Sequence, residues 1–343
     1  MVTALPTRFD NLLGLAALPW FGVREGRIAL EDRALGPIAD VHTHLALGYL
    51  GAPRVDLERE HAATCYYLPA ERPLDLDVYA NKNMRPGDIK ELERDLTLRG
   101  FGAGGMRATH TAPNLGRDLA DTGISRGVLL PIDYPLLSSN AETWLGLVRK
   151  RADLISLGSV HPFDINPRAH LVRQRAQGAR GIKLHPNAQM VAPDHPRSMR
   201  LYPLCAELGM VVFFHAGPVG IDGAGGRRRT QMYRYEKPIA ENPNTRFVLG
   251  HSGALQFEMG IELCRKYDNC WLETSSQSLS GVRQILDGAR PERVMHGSDW
   301  PFYHPAISLA KLLIATEGAG EVRRGVLWEN AARLFNLDET AAA

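Results

Sequence analysis

The sequence predicts an α/β protein built as a (β/α)8 TIM barrel, with a long insertion after the first strand and a short N-terminal extension. Two observations predict this fold. Eight short apolar runs alternate with longer helical patterns along most of the chain. The runs are apolar throughout rather than at every second position, as expected of parallel strands that are covered on both faces. An open doubly wound sheet is the alternative, and the absence of a strand–G-x-G-x-x-G–helix unit at the start disfavours it.

The predicted strands and helices follow one another in regular order. Helix-like pieces include residues 141–152, 168–178 and 202–209, and several end in glycine just before the next strand, which is a usual helix stop. The eight predicted strands lie within "PIADVHTH" (37–44), "ISRGVLLPID" (124–133), "LISLGSVHP" (154–162), "ARGIKLHP" (179–186), "GMVVFFHAG" (209–217), "TRFVLGHSG" (245–253), "NCWLETSS" (269–276) and "ERVMHGSDWP" (292–301).

The spacing of these elements predicts the domain organisation. Residues 1–36 form an N-terminal extension, in which "VREGRIALE" (23–31) predicts a short hairpin, and residues 37–343 form the barrel. Residues 45–123 separate the first two strands, far more than a typical crossover needs. Since this insertion leaves the C-terminal end of strand 1, we expect it to lie over the barrel mouth; a contact between subunits is an equally weighted alternative. Its glycine-rich stretch "GFGAGGMR" (100–107) predicts a mobile loop.

The composition is that of an ordinary globular chain. Forty basic and 38 acidic residues give a formal net charge of +2, so there is no general reason to expect nucleic acid or an anionic membrane as partner. The four scattered cysteines indicate free thiols in a reducing cytoplasm. The most apolar N-terminal piece, residues 11–22, is far too short to span a membrane. We therefore expect a soluble, cytoplasmic protein that acts on a small molecule.

Ionisable side chains stand at the ends of the predicted strands. In a strand, residues two apart point to the same face, so His42 and His44 can both reach one ion. Each such residue alone has a structural explanation, as a hydrogen-bonded core histidine or a helix-capping aspartate. Together they would be costly to bury unpaired at the one mouth where barrel strands converge, which indicates a metal site. The full set is His42, His44, Lys183, His185, His215, His251 and Asp299.

These residues lie in an ordered set of motifs: "DVHTH" (40–44), "GIKLHP" (181–186), "FFHAG" (213–217), "VLGHSG" (248–253), "HGSDWP" (296–301) and "WENAARLF" (328–335). The set resembles the amidohydrolase superfamily of metal-dependent barrel enzymes, and within it the amidohydrolase-2 branch, which includes decarboxylases and hydrolases of lactones and amides. The resemblance extends from about residue 38 to residue 337 and leaves out the insertion and the first 36 residues.

The resemblance implies a role for most of the set. His42, His44 and Asp299 would bind the more buried ion, and Asp299 would also be the general base. His215 would be a metal ligand. His251 would be either a second ligand or, with a single ion, a catalytic residue that polarises substrate or water.

Lys183 distinguishes these two arrangements. In binuclear members of the superfamily, a strand-4 lysine forms a carbamate that bridges two ions. The alternatives are a lysine that points away or one that pairs with a substrate carboxylate. His185 shares a face with Lys183, so we interpret it as a catalytic, substrate-facing residue, with a structural role before Pro186 as the rival.

Weaker signals concern the substrate. Trp300 and Phe302 follow Asp299 closely enough to line an apolar pocket over the metal, together with Tyr66, Tyr67, Tyr303 and His304. Arg227, in the glycine-rich loop 217–231, is a candidate ligand for a carboxylate or phosphate, although a run of three arginines is most often solvated surface.

The sequence therefore predicts a metal-dependent hydrolase that uses a metal-activated water on an amide, ester or lactone-like bond of a small molecule. Nitrogen and oxygen ligands without thiolate favour Zn²⁺, as one or two ions, with Mn²⁺ or Ni²⁺ possible. The alternative is a non-oxidative decarboxylase of an aromatic or unsaturated carboxylic acid with one ion. A TatD-like nuclease is disfavoured by Lys183, and a non-catalytic binding protein by the complete ligand set. The resemblance also implies a homo-oligomer, first of all a dimer.

Overall fold

The computed structural model describes residues 5–49, 54–134 and 138–337. In these ranges the strands are β1 (Arg8–Phe9), β2 (Phe21–Arg24), β3 (Arg27–Leu30), β4 (Ala39–Thr43), β5 (Leu74–Asp75), β6 (Arg126–Leu129), β7 (Leu154–Ser156), β8 (Gly181–Leu184), β9 (Val211–His215), β10 (Phe247–Gly250), β11 (Cys270–Glu273) and β12 (Val294–Met295).

The α-helices in the same ranges are α1 (Pro86–Leu96), α2 (Ala112–Asp121), α3 (Asn140–Val148), α4 (Pro167–Ala176), α5 (Pro196–Met199), α6 (Leu201–Glu207), α7 (Ala224–Arg229), α8 (Tyr233–Glu241), α9 (Phe257–Lys266), α10 (Leu279–Gly288), α11 (Pro305–Ala315), α12 (Gly320–Arg324) and α13 (Asn330–Phe335). Short 3₁₀ turns cover Leu12–Ala17, Arg33–Leu35, Ala80–Asn83, Arg99–Phe101, Met106–Thr109, His251–Gln256 and Pro291–Arg293, and a π-helical turn covers Gly325–Glu329.

Eight parallel strands close into a barrel. Strands β4, β6 and β7 pair in that order, and strands β8 to β12 pair in sequence order. Two parallel bridges join these groups, one between Gly158 and Ile182 and the other between Thr43 and Trp300. All eight strands lie within the predicted segments, and the predicted (β/α)8 barrel is confirmed.

The apolar runs bury both faces of each strand. In β9, Val211 and Phe213 pack in an apolar cluster inside the barrel, whereas Val212 and Phe214 pack in the cluster beneath the helices. This alternation places His215 on the inner face with Phe213. The same argument places Lys183 inside the barrel, because the preceding Ile182 packs outward.

Local signals set the ends of several helices. The Asn166 side chain caps α4 by accepting a hydrogen bond from the amide of Ala169. After α4 and α6 the chain turns toward the next strand at Gly178 (φ 103°) and Gly209 (φ 65°), a backbone conformation that favours glycine.

The N-terminal extension and the insertion are joined by a small sheet. Strand β1 of the extension pairs antiparallel with β5 of the insertion, while β2 and β3 form the predicted hairpin. The insertion is also fastened to the loop after β12, because the Asp118 carboxylate accepts hydrogen bonds from Trp300 Nε1 at 2.8 Å and from the Tyr66 hydroxyl at 2.6 Å. In the described part of the chain, no helix is both long and apolar enough to cross a membrane.

Candidate metal centre

Three side chains converge at the C-terminal mouth of the barrel. His42 lies in β4, His44 directly follows this strand, and Asp299 comes from the segment after β12. The Oδ1 atom of Asp299 lies 3.5 Å from the Nε2 atom of His42 and 3.5 Å from that of His44. The amide of Asp299 donates to the carbonyl of His42 at 2.8 Å, so the backbone itself fixes this approach. We call this set the open cluster.

The other ring nitrogens of the open cluster have protein acceptors. His42 Nδ1 lies 2.7 Å from Glu273 Oε1, and His44 Nδ1 lies 2.9 Å from the carbonyl oxygen of Leu130. Each acceptor favours a proton on Nδ1, which leaves an Nε2 lone pair toward Asp299. Two ligands of a tetrahedral ion at about 2.0–2.1 Å lie about 3.4 Å apart, which matches the spacing of this cluster.

A second carboxylate and imidazole cluster shares His42 and adds His251 and Glu273. We call it the sealed cluster. Its carboxylate is already saturated by protein donors: Glu273 Oε1 accepts from His42, from the amide of His251 and from the Ser275 hydroxyl, and Oε2 accepts from the amide of Ser275 at 2.7 Å. The Ser275 hydroxyl also lies 2.7 Å from His251 Nδ1. The sealed cluster therefore holds His42 and His251 in place, and its carboxylate serves as a hydrogen-bond acceptor rather than as a metal ligand.

The remaining predicted residues adjoin the open cluster. Lys183 Nζ lies 3.3 Å from His42 Nε2, and His215 Nδ1 lies 3.1 Å from His251 Nε2. The His185 and His215 rings stack with centroids 4.0 Å apart. His215 Nε2 is buried without a hydrogen-bond partner. All seven strand-end residues of the sequence prediction thus meet at one place, although the role of each stays a prediction.

Burial controls the charges at this mouth. It lowers the pKa of His42, His185, His215 and His251 well below the ordinary value, with neighbouring cationic groups such as Lys183 adding to the effect. Burial also lowers the pKa of the Lys183 ammonium to about 7 and raises that of Asp299. Neutral imidazoles beside carboxylates are the donor set that a divalent cation such as Zn²⁺ or Mn²⁺ prefers, so the residues fit a metal ion.

A cavity of about 400 Å³ opens above the open cluster. Residues of the insertion line it together with the strand ends. Phe302, Tyr67 and Tyr303 line it as predicted. The lining also includes side chains that the sequence analysis did not single out, among them Tyr49, Tyr79, Asn81, Asp95, Tyr134, Asn187 and Asp222.

Four of the predicted substrate-contacting residues lie outside the cavity lining: Tyr66 and His304, and also Trp300 and Arg227. Trp300 is fully buried behind the cavity, because its indole Nε1 donates to Asp118. Arg227 is exposed on α7 and is absent from the residues that line the cavity. The structure therefore corrects the expected placement of Trp300, and it places Arg227 outside the cavity lining, where its Nη2 atom donates to the carbonyl oxygen of Asp222 at 3.4 Å.

Sequence reasoning missed Glu273 and Ser275. Glu273 is the last residue of β11, the same strand-end position that marked the other site residues, so this signal was available within "NCWLETSS". No comparable signal marks the cavity residues from the insertion, since their positions depend on how a long loop packs.

A closed parallel barrel whose mouth brings imidazoles and a carboxylate to ligand spacing belongs to the class of metal-dependent TIM-barrel enzymes. The family model for amidohydrolases matches residues 39–337. The chain therefore belongs to the amidohydrolase family, in the branch that its motifs predicted, and it is an enzyme of the amidohydrolase superfamily. No curated protein matches the sequence.

Several solved structures share the fold. The 5-carboxyvanillate decarboxylase of Sphingomonas paucimobilis is 16% identical, with 88% of this chain and 99% of that chain covered and a TM-score of 0.59. A probable 2-pyrone-4,6-dicarboxylic acid hydrolase from Acinetobacter baumannii is 14% identical, with 88% and 100% covered and a TM-score of 0.53. A 5-carboxyvanillate decarboxylase from Novosphingobium aromaticivorans, with bound manganese, is 17% identical, with 74% and 85% covered and a TM-score of 0.52. At these identities the likeness shows the fold alone.

Proposed function

We propose that the protein is a metal-dependent hydrolase that adds water to an ester, lactone or amide carbonyl of a small molecule. The observation that carries this proposal is the position of the Asp299 carboxylate. It lies 3.5 Å from two imidazole nitrogens, at the floor of a cavity large enough for a substrate. A carboxylate so placed can both hold an ion and accept a proton.

His42, His44 and Asp299 would hold the first ion, and His215 with His251 would hold a second. Lys183, as a carbamate, would serve both, since its Nζ lies 3.3 Å from His42 Nε2 and its lowered pKa leaves a neutral amine available to react with carbon dioxide. When bound, such ions supply Lewis acidity that polarises the scissile carbonyl and acidifies water. The donor set favours Zn²⁺, with Mn²⁺ as the second choice.

The protein side chains would manage the proton and the substrate. Asp299 accepts a proton from the attacking water as the water oxygen adds to the carbonyl carbon, and it returns this proton to the leaving group as the carbon–heteroatom bond breaks. Burial raises the pKa of Asp299, which makes its carboxylate a stronger base than an exposed aspartate. His185, stacked on His215, faces the same cavity and would orient the substrate.

A direct test uses water labelled with ¹⁸O and the zinc-loaded protein with aryl esters, aryl lactones and anilides. We expect one labelled oxygen in the acid product. The Asp299→Asn variant should lose turnover, whereas Asp287→Asn, a matched change on the exposed face of α10, should keep it. Product without label, or equal turnover by Asp299→Asn, would contradict the proposal.

Non-oxidative decarboxylation is the second candidate, and the aromatic lining of the cavity favours it. Tyr49, Tyr67, Tyr134 and Phe302 would suit a substrate ring, and two of the structurally similar proteins are decarboxylases of an aromatic acid. In that case Asp299 and His251 would manage proton transfer to carbon. Carbon dioxide release from hydroxybenzoates, without incorporation of labelled oxygen, would establish this reaction and exclude the hydrolase.

A further inference from the structure

The cavity above the metal centre contains cationic side chains, but none of them is free to bind an anion. Among the described residues that line the cavity, the only lysine or arginine side chains are Lys183 and Arg107. Lys183 is fully buried and faces His42 Nε2. The pKa of the lining His110 is lowered by burial to about 3, so this imidazole is neutral at physiological pH.

Arg107 is committed to the backbone. Its Nη1 atom donates to the carbonyl oxygens of Arg99, Gly100 and Gly102 at 3.1, 2.7 and 2.8 Å, and its Nη2 atom donates to that of Leu47. The side chain is nearly fully buried. A guanidinium that already makes four such bonds has little left for a ligand, so Arg107 closes the wall of the cavity and does not recognise substrate.

Over the ranges that the structure describes, acidic side chains line the same cavity without forming ion pairs with lysine or arginine, although Arg227 Nη2 donates to the backbone carbonyl of Asp222 at 3.4 Å. Asp222, in the loop after β9, accepts from Asn187 Nδ2 at 3.0 Å and from the amide of Val219 at 2.7 Å. Asp95 accepts from the hydroxyl of Tyr67 at 2.8 Å. Within residues 5–49, 54–134 and 138–337, no lysine or arginine forms an ion pair with Asp222, Asp95 or Glu93.

The rest of the lining suits an uncharged ring. It contains the aliphatic side chains of Leu45, Leu47 and Ile132 and the aromatic rings of Tyr49, Tyr67, Tyr79, Tyr134, Phe302 and Tyr303. Such walls bind rings through apolar contact and edge or face packing. A ligand carboxylate outside the metal centre would lose its hydration, meet acidic neighbours and find no free cation.

We propose that the cavity selects substrates with an uncharged aromatic ring, and that it rejects substrates that carry a carboxylate on the side of the ring remote from the scissile group. This inference rests on the proposed hydrolase function and names its substrate class. Asp222 is the residue that imposes the selection, because its carboxylate adds an acidic group to the cavity wall and, among the described residues, accepts only from uncharged donors, Asn187 Nδ2 and the amide of Val219.

Binding of three non-hydrolysable aryl ketones tests the inference apart from catalysis. Acetophenone, 4-nitroacetophenone and 4-acetylbenzoate share the acetyl carbonyl and differ only in the group at the far side of the ring. By calorimetry on the zinc-loaded protein at pH 7.5, we expect the first two to bind and the benzoate to bind at least tenfold more weakly than the size-matched 4-nitroacetophenone. High salt should reduce this difference in affinity, because it screens the electrostatic repulsion between the ligand carboxylate and the acidic cavity wall.

Substitutions test whether Asp222 causes the weaker binding of 4-acetylbenzoate. Asp222→Asn should reduce the difference in affinity between 4-nitroacetophenone and 4-acetylbenzoate to less than threefold, and Asp287→Asn should leave it unchanged. Since Asp222 also holds the loop after β9, Glu93→Gln at the exposed edge of the cavity is a second variant, for which we expect a smaller reduction in the same direction. Equal or tighter binding of the benzoate by the wild-type protein, or no binding of any of the three ketones, would overturn the inference.

Hydrolysis of a matched ester pair separates the two proposals. We expect phenyl acetate to be hydrolysed with a kcat/KM at least tenfold above that of 4-acetoxybenzoate. If no ester, lactone or amide is hydrolysed while the order of ketone binding holds, the proposed function fails and the substrate class stands. If esters are hydrolysed but 4-acetylbenzoate is bound as well as 4-nitroacetophenone, the substrate class fails and the hydrolase stands.

Discussion

The open cluster and the sealed cluster contain the same kinds of side chain and share His42, yet only the open cluster has a carboxylate that is free to bind an ion. The Asp299 side chain keeps 11% of its surface exposed to the cavity, whereas Glu273 is fully buried and accepts four hydrogen bonds. The comparison teaches that the donors around a carboxylate decide its role. An unsaturated carboxylate can bind an ion or a proton, and a saturated one can only orient its neighbours.

The largest expected effect is the loss of the open carboxylate. Asp299→Asn keeps the shape of the side chain but removes the base and most of the attraction for a cation. We expect kcat to fall at least about 10³-fold, because general base catalysis and ion binding are lost together. Steady-state kinetics with saturating metal measure this effect, with Asp287→Asn as control. Activity within tenfold of the wild type would show that Asp299 is not the base.

The next effect concerns Lys183, which adjoins both clusters. Lys183→Met should lower the metal content from two ions per chain to one and reduce kcat by about 10²-fold, since loss of the carbamate removes a shared ligand. Elemental analysis measures the metal content, and steady-state kinetics measure kcat. Exposed Lys150, replaced by Met, is the matched control. Two ions in Lys183→Met would exclude a carbamate bridge.

A substitution in the sealed cluster should weaken metal binding more than it lowers the catalytic rate. In Glu273→Gln the amide would still fill the site but would lose the charge that holds His42 Nδ1 and the Ser275 hydroxyl. We expect the dissociation constant for Zn²⁺ to rise about 10–100-fold, with kcat at saturating metal much less changed. Competition with a chromogenic chelator measures the affinity, and exposed Glu258→Gln is the control. An unchanged affinity would mean that the sealed cluster does not support the ligands.

The smallest expected effect is on the pH dependence of stability, and it concerns Lys311, which lies behind the sealed cluster. Lys311 Nζ donates to the carbonyl of Gln277 at 2.7 Å, and Gln277 Nε2 donates to the carbonyl of His251. Burial lowers the pKa of Lys311 to about 7. Between about pH 7 and pH 10.4 the unfolded chain therefore binds a proton that the folded chain lacks, so the free energy of unfolding rises with pH in this window.

Lys311→Met should reduce the slope with which the free energy of unfolding rises with pH. The difference in slope from the wild type should reach at most about 1.4 kcal/mol per pH unit, which is the limit for one proton. Urea unfolding of the metal-free proteins at pH 7.5 and 9.0 measures it. Lys150→Met, which changes an exposed lysine, should keep the slope of the wild type. The same slope in Lys311→Met and wild type would mean that Lys311 stays protonated when buried.

The open cluster was more predictable from sequence than the sealed one. Strand periodicity places His42 and His44 near each other, and convergence of barrel strands brings Asp299 to them. Glu273 occupies a comparable strand end, but a lone glutamate next to "TSS" carries no ligand spacing that would distinguish it. Its role became apparent only from the four hydrogen bonds that it accepts.

The cavity shows where sequence reasoning ends. Phe302 and Trp300 are two residues apart, yet only Phe302 reaches the cavity, because Asp118 of the insertion accepts a hydrogen bond from the indole of Trp300. The role of Asp222 depends on Asn187, a hydrogen-bond partner that is distant in sequence. The role of Arg107 depends on backbone carbonyls of a long loop. No local pattern predicts such partners, whereas the repeated strand–helix units predicted the barrel.

Metal content is the most direct test of the central claim, that the open cluster binds a catalytic ion. Elemental analysis of protein purified without chelators or added metal should give at least one divalent ion per chain for the wild type. It should give a clear loss for Asp299→Asn and for His44→Asn, with Glu258→Gln unchanged. A wild-type protein that contains no ion and gains none from Zn²⁺ or Mn²⁺, or variants that keep the full content, would contradict the account.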